Sequence, residues 1–314
     1  MPRLGFLGPC ATFTEQALRT LPESVGAELV PCASSGAVLA AVRDGSVDAG
    51  CVPFENSVEG AVAAVLDGLV EDPALVITRE VVLPVRFTVM VRPGTTAADV
   101  RTVASHPHGE AQTRGWLAAN LPHADVLLTP STSEAAAQVA RGEVDAAVAA
   151  PLAAEQHRLA VLAENVGDTA DAVTRFVLLS RPGPPPASTG ADRTSLVATT
   201  ENRPGALLAV LSELSVRGVD LTRIESRPIK DRHGEYWFHL DCTGHVADPA
   251  MGEAMAALHR RCTKVRYLGS YPRANGAPTS GAAAVEPIDA SVAGAERFQA
   301  AAAWLADVRA GTTA

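Results

Sequence analysis

Short unbroken apolar runs alternate with amphipathic stretches through the first 180 positions, the pattern of buried strands separated by helices. Residues 3–8 (Arg-Leu-Gly-Phe-Leu-Gly) read as a buried strand and Pro9-Cys10-Ala11 as a turn. Thr12-Phe13-Thr14-Glu15 opens a helix, with Thr12 and Glu15 spaced as a capping box. Cys51-Val52 ends a second buried run at Pro53, which is expected to stop the strand ladder. Glu55, Asn56 and Ser57 then fall on a turn ahead of an Ala-Val-Leu helix to about Val70. Val81-Val82-Leu83 and Phe87–Val91 are strands that cross to a second unit. Past Pro151 come a helix, the loop Asn165–Asp168, and the apolar run Val177-Leu178-Leu179.

The pattern repeats. Ser34-Ser35-Gly36-Ala37, a helix and Gly45-Ser46-Val47-Asp48-Ala49 return as Ser131-Thr132-Ser133-Glu134, a helix and Gly142-Glu143-Val144-Asp145-Ala146. Leu7-Gly8-Pro9 has a counterpart in Ser105-His106-Pro107. Each copy is strand, turn, helix, strand, helix, strand, which implies a mostly parallel sheet wrapped by helices. Two copies imply two lobes. A chain that comes back to the first lobe through Val177–Leu179 leaves a cleft between them, with ligands at the carboxyl ends of the strands.

Arg181-Pro182-Gly183-Pro184-Pro185-Pro186 can be neither helix nor interior strand, so the first domain closes at about 181 and 182–193 is a linker. From 194 to 273 the order changes to strand (195–199), helix (204–217), strand (219–229), strand (236–242), helix (248–261), strand (265–268). This βαββαβ succession is ferredoxin-like. It carries no nucleophile–base pair and reads as a binding and assembly module. Residues 274–314 are an Ala/Gly/Pro-rich tail with a short amphipathic helix, Ala295 to Val308, bearing Phe298, Trp304 and Leu305.

Composition narrows the function. A chain of 314 residues suits two domains, and 47% apolar residues fill sizeable cores. A net charge of -9 without a basic block and an aromatic content of 4% exclude a nucleic-acid or anionic-membrane partner. Five scattered cysteines without CxxC spacing fit reduced thiols, and no apolar run approaches a membrane span, so a cytoplasmic location is expected. His106 and His108 lack a third ligand at metal spacing, so neither a metal nor another cofactor is expected.

An acidic chain that binds an anion must build a local positive site, which singles out Arg175 and the helix starts at Thr12, Ser57 and Ser131-Thr132. Thr174 and Arg175 stand at the mouth of the last apolar run, either as strand end and surface charge or turned toward a ligand. Caps account for Asn56 and Ser57, but not for Glu55 just after a buried strand.

Six motifs in order resemble prephenate dehydratase followed by an ACT regulatory domain, a likeness that covers Leu4 to Pro272. They are Gly8-Pro9-Cys10-Ala11-Thr12-Phe13-Thr14, Pro53-Phe54-Glu55-Asn56-Ser57, Ser105-His106-Pro107, Thr174-Arg175-Phe176, Gly205-Ala206-Leu207-Leu208 and Glu225-Ser226-Arg227-Pro228. The departures are Ala11 for the usual Gly and Phe54 for the usual Ile. Ala11 is harmless unless its turn needs a positive φ. The resemblance implies an α/β, two-lobed, periplasmic-binding-protein-like catalytic domain plus a ferredoxin-like ACT domain. It implies Thr174 as catalytic residue, with Glu55 beside it, more as a positioning group than as the acid. Thr12, Thr14, Asn56, Ser57, Ser105, His106, Gln112, Ser131, Thr132, Arg175 and Phe176 would bind prephenate. Gly205, Ala206, Leu207, Leu208, Glu225, Ser226, Arg227 and Pro228 would bind phenylalanine between paired ACT domains, in a dimer or tetramer. Arogenate dehydratase and a non-catalytic amino-acid sensor are the rival readings.

Overall fold

The computed structural model describes residues 1–230, 232, 234–274 and 276. The expected C-terminal helix, Ala295 to Val308, lies outside them. Lobe 1 contains β1 (Arg3–Leu7), α1 (Phe13–Arg19), β2 (Glu28–Cys32), α2 (Ser35–Asp44), β3 (Ala49–Asn56), β4 (Gly60–Ala61), α3 (Ala63–Leu69) and β5 (Val76–Pro84). Lobe 2 contains β6 (Thr88–Val91), β7 (Thr102–Ser105), α4 (Pro107–Ala111), α5 (Arg114–Asn120), β8 (Asp125–Leu128), α6 (Thr132–Arg141), β9 (Ala146–Ala149), α7 (Pro151–His157) and β10 (Ala160–Ala163). The chain then returns to lobe 1 as β11 (Val173–Ser180).

The two sheets run β2-β1-β3-β11-β5 and β10-β6-β9-β7-β8. Each path has two parallel pairings and two antiparallel ones, and β4 adds an antiparallel pairing with β3, so the sheets are mixed rather than mostly parallel. The antiparallel strands are those that carry the chain between lobes. The two crossings, 85–87 and 164–172, bond to each other through Val85 N–H to Ala172 C=O and Val166 N–H to Phe87 C=O, at 2.8 and 3.0 Å.

The repeat is physical. Ser34 and Ser131 cap α2 and α6 with nearly the same dihedrals, and Gly45 and Gly142 end those helices at φ 81° and 78°. Only glycine takes that conformation at little cost. Asp48 and Asp145 each accept a backbone N–H, from Arg3 at 2.8 Å and Arg101 at 2.9 Å, tying the start of β3 to that of β1 and the start of β9 to that of β7. That is why Gly-x-Val-Asp-Ala recurs.

Two expectations about β3 are corrected. Pro53 does not stop the strand, which runs on to Asn56 and pairs Asn56 with Thr174 and Glu55 with Arg175. β1 already ends its pairing at Cys51, and the ladder with β11 bulges between Pro53 and Glu55, so the missing N–H of Pro53 costs no ladder bond. Ser57 is not a helix start: α3 begins six residues later with Val62 before it, and Ser57 Oγ instead accepts the Val173 N–H at 3.0 Å.

Counted after the two lobes, the third domain has β12 (Asp192–Thr199), α8 (Ala206–Ser215), β13 (Leu221–Pro228), β14 (Tyr236–Thr243), α9 (Pro249–Arg261) and β15 (Lys264–Pro272). Its antiparallel sheet runs β13-β14-β12-β15. One face packs on α8 and α9. The other joins the core of lobe 1, where Val197, Leu268 and Tyr271 sit with Val38, Leu39, Leu66 and Ile77 in one cluster. Gly269, at φ 132°, lets β15 lie against β5: a Cβ there would fall inside the contact distance of the Ile77 carbonyl. Gly269→Ala is expected to cost roughly 2–4 kcal/mol, read as a lowered urea midpoint, because a rigid main-chain atom must move and φ is wrong for alanine.

Candidate active site

The lobes enclose a cavity of about 600 Å³. Thr12, Thr14, Asn56, His106, Gln112, Ser131, Thr132, Thr174 and Phe176 line it, together with Phe13, Ser35, Glu59, Phe87 and His108. No Arg or Lys is among the lining residues, so the helix starts are the positive features of its wall. The ten-residue helices α2 and α6 both begin at its wall. Such N-termini carry about half a positive charge each.

Asn56 and Thr174 form the centre. Asn56 Oδ1 accepts the N–H groups of Val58 and Glu59, at 2.8 and 3.0 Å. That fixes which end of the amide is which, and Nδ2 donates to Thr174 Oγ1 at 2.8 Å. With a lone pair so used, the threonine proton is free to be given to a ligand. Thr12 is more constrained: its hydroxyl donates to Leu7 C=O at 3.0 Å and accepts from Glu15 N–H at 3.3 Å.

Glu15 departs from the usual capping box. Its buried carboxylate takes the Ala11 N–H at 2.6 Å, and Gln156 of lobe 2 reaches it at 3.2 Å. Ala11 stands at φ 67°, the positive region where glycine is preferred, at a cost of about 1 kcal/mol. Its methyl group is fully buried against the lobe 2 core, which offsets about 0.8 kcal/mol of that. This accounts for alanine being tolerated in the turn.

Across the cleft, Glu59 accepts from Gln112 Nε2 at 3.0 Å and pairs with His108 Nδ1 at 2.8 Å. Burial lowers the His106 pKa, and His108, whose ring centroid is 4.9 Å away, lowers it further. Sequence reading passed over Glu59 and His108 as site residues. The one signal for Glu59 was its place three residues after Asn56, where its N–H could return to the amide.

Four expected site residues lie elsewhere. Ser105 is buried beneath α4 and donates to Val148 C=O at 3.0 Å, and Ser57 braces Val173. Arg175 faces away from the cavity, because side chains alternate along β11 and Thr174 and Phe176 hold the cleft side. Its Nη1 bonds Asp241 at 2.6 Å and its Nη2 bonds Tyr271 at 2.7 Å, both in the third domain. Its Nε is 2.8 Å from Glu80 Oε2 but off the hydrogen-bond direction, an ion contact. Burial pushes the Asp241 carboxyl up, yet Arg175, the Ser195 hydroxyl and Arg193 together outweigh it and hold the group below its ordinary range. Glu55 also points to the third domain, with Arg223 Nε at 3.3 Å and Arg175 Nη1 at 3.8 Å.

The same interface buries His239, with both ring nitrogens unpartnered. Burial, then Arg223 and Arg227, push its pKa down to about 4, against the opposing pull of Asp241 and Asp67. The unfolded chain therefore binds the extra proton between about pH 6.5 and 4. Stability from this group is complete above about 6.5 and is lost as pH falls toward 4, on the order of 3 kcal/mol in all. His239→Leu is expected to flatten the acid side of a stability-versus-pH curve across that window, measured by urea titration at successive pH values.

Among the described residues no cluster of three His, Cys, Asp or Glu is placed to hold a metal, and no helix is long and apolar enough to cross a membrane. The family model described as "Prephenate dehydratase" matches residues 4–184, and that described as "ACT domain" matches 194–260. The prephenate dehydratase of Amycolatopsis methanolica is 50% identical over 315 residues, spanning 100% of both chains. The crystal structure of prephenate dehydratase from Arthrobacter aurescens in complex with L-Phe is 41% identical and covers 98% of this chain and 99% of its own, with a TM-score of 0.83. The structure of GqqA, described as a novel type of quorum quenching acylase, is 32% identical over 86% of this chain and 97% of its own, with a TM-score of 0.78.

Proposed function

The chain belongs to the prephenate dehydratase family and carries an ACT domain, and from that premise we propose that it converts prephenate to phenylpyruvate, carbon dioxide and water, with Thr174 assisting departure of the hydroxyl. The step consumes one proton: a dianion becomes a monoanion, carbon dioxide and water. Aromatisation drives it. The enzyme's task is to hold two carboxylates and stabilise charge on the leaving oxygen. The observation that carries the assignment is the Asn56–Thr174 hydrogen bond, whose direction leaves the hydroxyl as a donor toward the cavity. The starts of α2 and α6, with His106, Gln112 and Thr132, suit the carboxylates.

Acyl transfer suits this centre poorly. A threonine nucleophile needs a neighbouring base, and the amide nitrogen of Asn56 cannot take a proton.

L-Phenylalanine is the proposed effector, supported by the ACT motifs and by the L-Phe complex of the Arthrobacter aurescens relative. Gly205, at φ 77°, opens α8, and Leu208 is 68% exposed. On β13, Ser226 sits on the helix side, while Glu225 and Arg227 are on the lobe 1 side and Arg227 pairs with Asp67 at 3.1 Å. The ligand contacts therefore fall to Gly205–Leu208 with Ser226 and Pro228. Edge strand β13 would meet its counterpart in a second chain, as a dimer or tetramer. All five cysteines are free, in keeping with a reducing cytoplasm.

The test is phenylpyruvate formation from prephenate, with and without phenylalanine, and from arogenate in parallel. Turnover of prephenate that falls when phenylalanine is added is expected. Turnover of arogenate alone would replace the substrate, and turnover of neither would overturn the assignment.

A further inference from the structure

The residues on either side of the domain interface are in register with the catalytic pair. On β3 and β11, Glu55 opposes Arg175 and the adjacent Asn56 opposes Thr174. On β13 and β14, Arg223 opposes Asp241. The two ACT residues meet the two catalytic-domain residues head on: Arg223 Nε lies 3.3 Å from Glu55, and Asp241 lies 2.6 Å from Arg175. Both guanidiniums also lie over the Phe54 ring, at 5.2 and 4.8 Å from its centroid. The bulge between Pro53 and Glu55 turns Phe54 and Glu55 to this side together.

Arg175, Arg193 and Arg223 face Glu80, Asp241 and Glu55. Arg223 has few other partners. Its side chain is 10% exposed, its terminal nitrogens are buried without a hydrogen-bond acceptor, and its next carboxylate, Glu225, is 3.7 Å off. A buried cation of this kind holds the carboxylate it does have. A shift of the main chain at Glu55 would carry Asn56, the next residue, whose amide orients the Thr174 hydroxyl.

We infer that Arg223 of the ACT domain is a positioning residue for the dehydration site, acting through Glu55 to set the Asn56–Thr174 pair. This rests on Thr174 being the residue at which the reaction is assisted. It gives Glu55 a role that needs no proton transfer, and it makes the catalytic geometry depend on a docked ACT domain.

The test is steady-state kinetics on the full chain for Arg223→Met, Arg223→Lys, Glu55→Gln, the Arg223→Met/Glu55→Gln double variant and Thr174→Ala. Misplacement of a catalytic group by a fraction of an ångström to 1 Å costs ~10- to 100-fold in rate. Arg223→Met and Glu55→Gln are each expected to lower kcat by ~10-fold or more, with KM within ~3-fold of the parent. Arg223→Lys should recover most of the loss, and the double variant should be no worse than the poorer single one. Glu55→Gln is nearly isosteric and keeps the test open if Arg223→Met does not fold. A parental kcat in Glu55→Gln or Arg223→Met, or losses that multiply in the double variant, would overturn the inference. Parental turnover in Thr174→Ala would instead remove the reading on which it rests.

Discussion

Thr174→Ala is expected to lower kcat for phenylpyruvate formation by about 10²- to 10³-fold, with KM changed less than ~3-fold. Thr174 is 7% exposed, and its hydroxyl is held by one amide hydrogen bond and lines a cavity without a lining Arg or Lys. As the ring aromatises, negative charge gathers on the departing oxygen. A donor already oriented there acts in the transition state more than in the bound substrate, which is the condition for an effect on kcat rather than KM. The figure corresponds to roughly 3–4 kcal/mol. Stability should fall far less, by about 1 kcal/mol, since the Asn56 amide loses one partner. Thr174→Ser, which keeps the oxygen but frees its rotation, should fall between the two. The measurement is a progress curve at fixed pH with an unfolding curve beside it. A kcat near the parent's in Thr174→Ala would end the assignment.

The second large effect is on stability. Arg175→Met is expected to destabilise the protein by about 3–5 kcal/mol, the range seen when one partner of a buried ion pair is removed. Glu80 and Asp241 are each 2% exposed at their side chains; Asp241 would be left a buried anion without its ion-pair partner, and Glu80 would keep only Arg193. Tyr271, which bonds Arg175 at 2.7 Å and Ser195 at 2.6 Å, would lose the first of these partners. The urea midpoint should drop steeply, and the loss should lessen at low pH, where the carboxylates take up protons. A substrate ligand in an open cleft would behave otherwise, with a raised KM and a midpoint within about 0.5 kcal/mol of the parent. One denaturation series therefore separates an interface arginine from a substrate-binding one.

The contrast shows what the sequence made legible. The repeat could be read because Ser34 and Ser131, Gly45 and Gly142, and Asp48 and Asp145 do local work: capping, ending a helix, tying one strand to the next. Asn56 and Thr174 came through as members of motifs, though nothing local says that they touch across 118 positions. Arg175 and Glu55 were misplaced for two physical reasons. Alternation along β11 sends neighbours to opposite faces, so Thr174 and Arg175 cannot share a pocket. A bulge resets alternation on β3, and no composition signal marks it. The partners that claim Arg175 and Glu55 come from a sheet far along the chain, and such contacts leave no periodic trace. Ala11 is a case where the question was posed correctly by the residue, and the backbone answered it with a positive φ.

The return of the chain to lobe 1 also sets an order of assembly. Lobe 2 is a single uninterrupted stretch, with its strands all between Thr88 and Ala163. The sheet of lobe 1 is incomplete until β11 arrives, and among the described residues β5 has β11 as its strand neighbour in that sheet, 89 to 104 positions away at the paired ends. Closing so long a loop is slow relative to local pairing. On a ribosome, lobe 2 can therefore be finished while β5, made before it, still waits for residues not yet made. In pulse-labelled hydrogen exchange the amides of β6 and β9 are expected to gain protection before those of β5, so a stretch translated earlier becomes native after one translated later.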